Sequence, residues 1–198
     1  MTVVTVSGTA SEVGKTGLVC ELLGRLPGWG AVKVTRGHYR SCGRDPETCC
    51  VSHLLGDRPR VFADRELTLV DGKDTGRYWR AGAADVRWVV AARGQEGQGL
   101  DEALADLAEL PGVVVEGNRI LEHITPRLAV LVAHPGQREI KSSARRVLDR
   151  IDILFVPDDA VAGALDDPSS LVGSPPRSRR WPVFGPTDLD RLAEMVGQ

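Results

Sequence analysis

Near its start the sequence reads Val3-Val4-Thr5-Val6-Ser7-Gly8-Thr9-Ala10-Ser11-Glu12-Val13-Gly14-Lys15-Thr16. Residues 3–6 are apolar and rich in β-branched side chains, which predicts a buried strand. Apolar residues then recur at helical spacing, at Leu18, Val19, Leu22, Leu23 and Leu26. A strand, a glycine loop ending in Gly-Lys-Thr and a helix are the context of a phosphate-binding P-loop.

The residue types of this loop fit a nucleoside triphosphate with Mg²⁺. Backbone N–H groups and the positive end of the helix attract phosphate. Lys15 is expected to reach the β- and γ-phosphates as a catalytic residue, and the Thr16 hydroxyl to bind Mg²⁺. Five residues separate Gly8 from Gly14 instead of the strict four, so Thr9 occupies the usual position of the first glycine. The expected nucleotide-binding residues are Gly8, Thr9, Glu12, Val13, Gly14, Lys15 and Thr16.

The loop at residues 8–16 resembles that of dethiobiotin synthetases, which usually reads G-T-D-T-E-V-G-K-T. Seven of the nine positions match. The resemblance implies a P-loop protein with a mostly parallel sheet, and an ATP-dependent ligase is one activity that it suggests.

Length and composition indicate one globular domain over residues 1–198. The net charge of −2 argues against bulk electrostatic binding to nucleic acid or membranes. We expect a cytoplasmic protein, because no apolar run approaches a membrane span of about 18 residues and no secretory signal is evident.

Lys33 lies inside a second apolar strand predicted at residues 31–35. A lysine on a buried strand must reach a cleft or a carboxylate unless the strand is at an exposed edge. In dethiobiotin synthetases a lysine on the equivalent strand faces the active site. Lys33 is therefore a candidate catalytic residue that contacts phosphate or substrate.

A Cys/His-rich insertion is predicted at about residues 36–65. His38, Cys42, Cys49, Cys50 and His53 are soft ligands that would suit Zn²⁺ or an iron–sulfur cluster. The insertion contains no Cys-x-x-Cys pair, so a reactive thiol site or ordinary loop cysteines are the alternatives.

A segment at residues 72–83 resembles the G-K-D-S-x-R-x-x-x-A-G-A segment of the molybdopterin-guanine dinucleotide biosynthesis protein B family. The matching residues are Gly72, Lys73, Asp74, Arg77, Ala81, Gly82 and Ala83. Asp74 is a candidate Mg²⁺ ligand and Arg77 a candidate phosphate contact. The alternative is a surface ion pair between residues three apart on a helix.

Glu116 ends an apolar strand at residues 113–116. An acidic residue at the carboxyl end of a parallel strand often meets the Mg²⁺-nucleotide. Glu116 is therefore predicted to bind Mg²⁺ or to orient a reacting water or substrate. Both families named above have an apolar strand ending in Glu-Gly near this point.

Further elements complete the expected architecture. Strands are predicted at residues 62–70, 86–91, 128–133 and 151–156, and an amphipathic helix at residues 100–110. The first two strands should form a parallel βαβ unit. The whole is an α/β P-loop NTPase fold, with about seven mostly parallel strands and helices on both faces.

The sequence predicts GTP or ATP binding and slow Mg²⁺-dependent hydrolysis. The second resemblance implies an accessory protein that assists a partner enzyme of molybdenum cofactor biosynthesis. The alternatives are a dethiobiotin-synthetase-like ligase and a metallochaperone GTPase that uses the Cys/His-rich loop. A homodimer is an expectation carried over from relatives of this class.

Overall fold

The computed structural model describes residues 1–37, 51–134, 140–159, 162, 171–172 and 181–197. These residues form an α/β fold around one eight-stranded sheet. The strands are β1 (Thr2–Gly8), β2 (Gly30–Arg36), β3 (Arg60–Phe62), β4 (Val86–Ala91), β5 (Gly112–Glu116), β6 (Leu128–Val132), β7 (Ile153–Phe155) and β8 (Val183–Phe184). The α-helices are α1 (Lys15–Arg25), α2 (Arg65–Thr68), α3 (Asp74–Arg80), α4 (Glu96–Asp106), α5 (Ser142–Arg145) and α6 (Leu189–Gly197).

The sheet is parallel except at one edge. Its strand order is β3-β4-β2-β5-β1-β6-β7-β8, and only the β3–β4 pair is antiparallel. This agrees with the predicted mostly parallel sheet. The sheet reaches eight strands because the three-residue strand β3 forms one edge and the two-residue strand β8 forms the other.

The opening strands do not pair with each other, which corrects the expected direct β1–β2 pairing. β5 lies between them and is parallel to both, with Val114 opposite Val4 and Ala31. The carboxyl ends of β1, β5 and β2 therefore meet at one edge of the sheet. Side chains from all three strand ends can contribute to one site there.

Helices cover both faces of the sheet. On one face α1, α3 and α6 enclose inward side chains of β1, β5 and β6 such as Val6, Val114 and Val130. On the other face α4, α5 and the 3₁₀ turn Arg119–Glu122 pack on side chains such as Val115 and Leu131. The central strands are therefore buried on both sides, which explains their continuous apolar sequences.

The strand predicted at residues 62–70 is wrong. β3 ends at Phe62, and α2 begins at Arg65. The Asp64 carboxylate accepts a hydrogen bond of 2.8 Å from the Glu66 backbone N–H, which caps this helix. A local side-chain bond therefore outweighs the strand propensity of the flanking residues.

The helix predicted at residues 100–110 begins four residues earlier, at Glu96. In the sequence, Gly97 and Gly99 favour a loop over the first turn of this helix. In the structure each lies where a Cβ atom would crowd a neighbour: Gly97 lies against the His123 ring, and Gly99 against Val89 and Pro59. Close packing thus offsets the poor helix propensity of glycine.

No helix among the described residues is both long and apolar enough to cross a membrane. His38, Cys42, Cys49 and Cys50, the core of the predicted metal-binding insertion, lie outside the described residues.

Candidate phosphate-binding site

The loop between β1 and α1 depends on its two glycines for different reasons. Gly14 is the N-cap of α1 and has φ of 99°, a left-handed conformation that favours glycine. A Cβ on Gly8 would lie 2.7 Å from Val13 and 2.8 Å from the Lys15 side chain. Glu12 also has positive φ, at 60°, whereas Val13 between it and Gly14 does not. The backbone therefore alternates between left-handed and other conformations through the loop. Such alternation points successive N–H groups toward a common anion.

The start of α1 has N–H groups that suit an anion. The first intrahelical bond runs from the Leu18 N–H to the Gly14 carbonyl, at 3.0 Å. No side chain caps the helix start. The N–H groups of Lys15, Thr16 and Gly17 therefore precede the intrahelical ladder at the positive end of an eleven-residue helix.

Lys15 folds back over the loop. Its Nζ donates a hydrogen bond of 2.9 Å to the Ala10 carbonyl. Burial lowers the pKa of Lys15, and the neighbouring charges of Lys33 and Lys141 lower it further, whereas Glu116 and Asp74 oppose the change. An anion bound at the loop would favour the charged form of this lysine.

Thr16 lies between two carboxylates from distant parts of the chain. Its Oγ1 is 3.0 Å from Asp74 Oδ1, at the start of α3, and 3.0 Å from Glu116 Oε2, at the end of β5. A hydroxyl carries one proton, so it can donate to only one of these oxygens at a time. The three side chains together form a set of oxygen donors beside the loop between β1 and α1.

Lys33 joins the same two carboxylates. Its Nζ lies 2.5 Å from both Asp74 Oδ2 and Glu116 Oε1. The β2–β5 register places Lys33 directly opposite Glu116 on the neighbouring parallel strand. Lys33, predicted to reach a cleft or a carboxylate, therefore contacts two carboxylates. Its strand lies in the interior of the sheet, not at an exposed edge.

Tyr78 is a residue of the site that the sequence analysis missed. It is fully buried on α3, and its hydroxyl donates to Glu116 Oε2. Burial raises its pKa well above the ordinary value, and the nearby Glu116 charge adds to this, so the phenol remains a proton donor. Its position four residues after Asp74, on the same helical face, was the available signal.

The Asp74 carboxylate is ionised at neutral pH. Burial alone would raise its pKa, but the hydrogen bond and charge of Lys33 and the hydrogen bond from Thr16 outweigh that effect and lower it. Asp74 is the first residue of α3, and the N-cap is Lys73. No side chain caps this helix.

A pocket of about 510 Å³ collects most of the predicted residues. It is lined by Glu12, Gly14, Lys15, Thr16, Lys33, Asp74, Arg77 and Glu116, together with Ser11 and Gly17. Gly8, Thr9 and Val13 do not line this pocket. They are buried, and the Thr9 N–H bonds the Val132 carbonyl at 2.9 Å. Their contacts shape the loop.

The donor set fits Mg²⁺. Oxygens of Thr16, Asp74 and Glu116 are hard ligands of the kind that Mg²⁺ binds together with water and phosphate. Within the described part of the chain, no group of three or more His, Cys, Asp or Glu side chains is arranged to hold a metal ion. His53 lies in the 3₁₀ turn Ser52–Leu54 and lines a different pocket.

Asn118 fixes the entry to the loop. Its Oδ1 accepts from the Gly8 N–H and its Nδ2 donates to the Gly8 carbonyl, both at 2.9 Å. Nδ2 also lies 3.1 Å from the Ser143 hydroxyl. One side chain after β5 therefore holds the end of β1 in place.

No protein-family model matches the chain, and no curated protein matches it at a significant level. The structure itself shows an α/β fold with a mostly parallel sheet, which is compatible with the P-loop NTPase class.

Proposed function

We propose that the protein binds a nucleoside triphosphate with Mg²⁺ and hydrolyses it slowly. The observation that carries this proposal is the convergence of Thr16, Asp74 and Glu116 beside Lys15 and the start of α1. A phosphate-binding helix start, a lysine and a set of hard oxygen donors are the parts that phosphoryl transfer requires.

Each residue has a role that follows from its position. The N–H groups at the start of α1 hold phosphate oxygens, and Lys15 leaves the Ala10 carbonyl to contact the β- and γ-phosphates. Thr16, Asp74 and Glu116 are the residues that would hold Mg²⁺, which neutralises charge on the phosphates. Arg77 at the pocket wall adds a guanidinium that can contact phosphate.

Nucleotide titration of the purified protein tests the proposal. We expect Mg²⁺-dependent binding of ATP or GTP analogues, with competition between the two deciding the base. Lys15→Met should weaken binding at least about 100-fold, because it removes a charge-assisted contact to phosphate. Arg127→Met, which removes a cation at an exposed position, is the matched control. Equal binding by Lys15→Met and wild type would contradict the proposal.

We further propose that the protein is an accessory factor similar to the molybdopterin-guanine dinucleotide biosynthesis protein B family. The support is the segment at residues 72–83, whose Asp74 lies next to Thr16. Turnover should then rise when the partner enzyme of cofactor assembly is added and no small acceptor is present. An equal rate of turnover with and without this enzyme would favour another role.

A ligase resembling dethiobiotin synthetase is the second candidate. Lys33 lines the same pocket as the loop, as the lysine of that family faces its active site. Formation of dethiobiotin from diaminopelargonate, bicarbonate and ATP would identify this activity. ATP consumption that is independent of both substrates would exclude it.

A further inference from the structure

A second cavity, of about 520 Å³, opens at the same edge of the sheet on its other face. Lys33 and Glu116 point toward α1, whereas Val34, Arg36 and Gly117 next to them line this second cavity. The proposed nucleotide site uses none of the second cavity's cationic side chains. We call it the Arg36–Arg119 cavity.

Three cations and one carboxylate line the cavity: Arg36, Arg119, Lys141 and Glu96. Glu96 is deeply buried, with its side chain 2% exposed. Its Oε2 accepts a bond of 2.6 Å from the Gly94 N–H. Its Oε1 has no hydrogen-bond partner among the described residues. A buried carboxylate oxygen without a hydrogen bond attracts nearby cations by charge alone.

Both guanidinium groups stand just beyond hydrogen-bonding distance of Glu96. Its Oε1 lies 3.9 Å from Arg36 Nε and 3.7 Å from Arg119 Nη1. Arg119 is anchored from the other side, since Nε and Nη2 bond Glu122 at 3.2 and 2.8 Å. Glu122 therefore holds Arg119 in place, while Nη1 faces Glu96 and the residue lines the cavity.

The charge and shape of the cavity define a class of ligand. Glu122, which bonds Arg119, is a second carboxylate beside the cavity, so three cations exceed two carboxylates by one charge. Guanidinium groups suit oxyanions with several acceptor oxygens. Val34, Ile120 and Ile140 provide apolar surface for an organic body. The volume is within the range of small-molecule sites. We propose that the cavity binds the dianionic end of a small organic phosphate as a second ligand.

The second ligand would lie beside the phosphate-binding loop. Lys141 lines the cavity, yet its Nζ bonds the Ser11 hydroxyl at 2.5 Å and its N–H bonds the Thr9 carbonyl at 2.8 Å. Asn118 likewise lines the cavity and holds Gly8. The two sites therefore share a wall, although ligand binding in the cavity does not require nucleotide.

Calorimetric titration with phenyl phosphate tests this proposal in the Lys15→Met variant of the chain, in which phosphate binding at the loop is weakened. We expect saturable binding at up to millimolar concentrations. Adding Arg119→Gln should weaken it about 10- to 100-fold, as loss of a charged hydrogen bond to phosphate implies. Arg36→Gln should have a similar effect. Arg127→Gln, an exposed cation outside the cavity, should leave binding unchanged.

The outcomes separate the alternatives. Phenylsuccinate, a dicarboxylate of similar size, should bind more weakly; tighter binding would overturn the assignment to phosphate esters. Absence of saturable phenyl phosphate binding, or equal weakening by Arg127→Gln, would overturn the site. If Arg119→Gln unfolds, Arg36→Gln and Lys141→Gln give the same test. Nucleotide binding is measured separately on the wild type. A wild type that binds no nucleotide would therefore contradict the proposed function and not the proposed ligand of this cavity.

Discussion

Glu116 has the neighbours that a deeply buried carboxylate needs. Its side chain is 2% exposed, Lys33 contacts one oxygen, and Tyr78 and Thr16 lie against the other. Removing one partner of a buried ion pair is usually costly, because an uncompensated charge remains in a medium of low polarity. The ammonium of Lys33 also competes with any cation for the same oxygens.

Lys33→Met should therefore lower the free energy of unfolding by about 2–4 kcal/mol. This loss is somewhat smaller than the roughly 3–5 kcal/mol that is usual for breaking a buried ion pair. Asp74 is 40% exposed, and Glu116 keeps Tyr78 as a hydrogen-bond donor. Added Mg²⁺ should stabilise the variant more than the wild type, because the competing ammonium is gone. Urea unfolding with and without Mg²⁺ measures both effects.

Lys73→Met is the matched control, since Lys73 is exposed and adjoins Asp74 in sequence. It should change the unfolding free energy by less than about 0.5 kcal/mol. A Lys33→Met protein as stable as this control would contradict the role given to the ion pair.

Lys15 should link nucleotide binding to protons. Its folded pKa is below 10.5, lowered first by burial. The unfolded chain therefore holds this proton more tightly, and the free energy of unfolding rises as pH increases through the lowered pKa. Bound phosphate favours the charged lysine, so binding should take up a proton at alkaline pH below 10.5.

Calorimetry in two buffers of different ionisation enthalpy measures that uptake. Lys15→Arg is the control, because its guanidinium stays charged throughout the range and should take up no proton. Binding by the wild type without proton uptake anywhere in this range would contradict the prediction.

At the scale of the element, α3 is too short to be stable alone, yet it carries Asp74 and Tyr78. Tertiary contacts hold it. Trp79 Nε1 donates to the Thr68 hydroxyl at 3.0 Å, and the Gly76 backbone lies directly against the Val70 backbone. The position of the site carboxylate therefore depends on how closely α3 approaches the preceding segment.

Gly76→Ala should destabilise the protein by about 1–3 kcal/mol, because the new Cβ would overlap the Val70 carbonyl oxygen. Helix propensity alone predicts the opposite sign, a gain of up to about 1 kcal/mol. Thermal and urea unfolding decide between them.

Gly24→Ala in α1 provides the comparison. The nearest atom to its Cβ would be the Ala81 carbonyl at 3.9 Å, an ordinary contact, so this variant should gain about 0.5–1 kcal/mol. Equal effects at the two glycines would show that packing on Val70 is unimportant.

For the molecule as a whole, the placement of β5 between β1 and β2 assembles the site. It brings Glu116 between the loop after β1 and Lys33 on β2. A ligand bridging these strand ends stabilises the sheet that carries them, since it binds only the folded chain.

Mg²⁺-nucleotide at 100 times its Kd should therefore add about 2.7 kcal/mol to the unfolding free energy. For a chain of this size, that corresponds to a rise in Tm of about 5–10 °C. Differential scanning calorimetry measures it. Lys15→Met should show little of this rise, and a full rise in that variant would place the ligand elsewhere.

Elements with local signals could be predicted from the amino-acid sequence. β1, β4 and β5 follow from apolar, β-branched runs, and the loop before α1 from glycine and lysine at fixed spacing. The mostly parallel sheet followed from the alternation of strands and helices. The need of Lys33 for a charged partner was also readable, because a buried ammonium cannot remain alone.

Contacts between residues distant in sequence became visible only in the folded chain. The β5 position between β1 and β2, the Tyr78–Glu116 contact and the buried Glu96 depend on packing between segments far apart in sequence. The same is true of the glycines that begin α4, which local propensity assigns to a loop. Local patterns record what one segment prefers, whereas contacts between segments depend on the free energy of the whole assembled core.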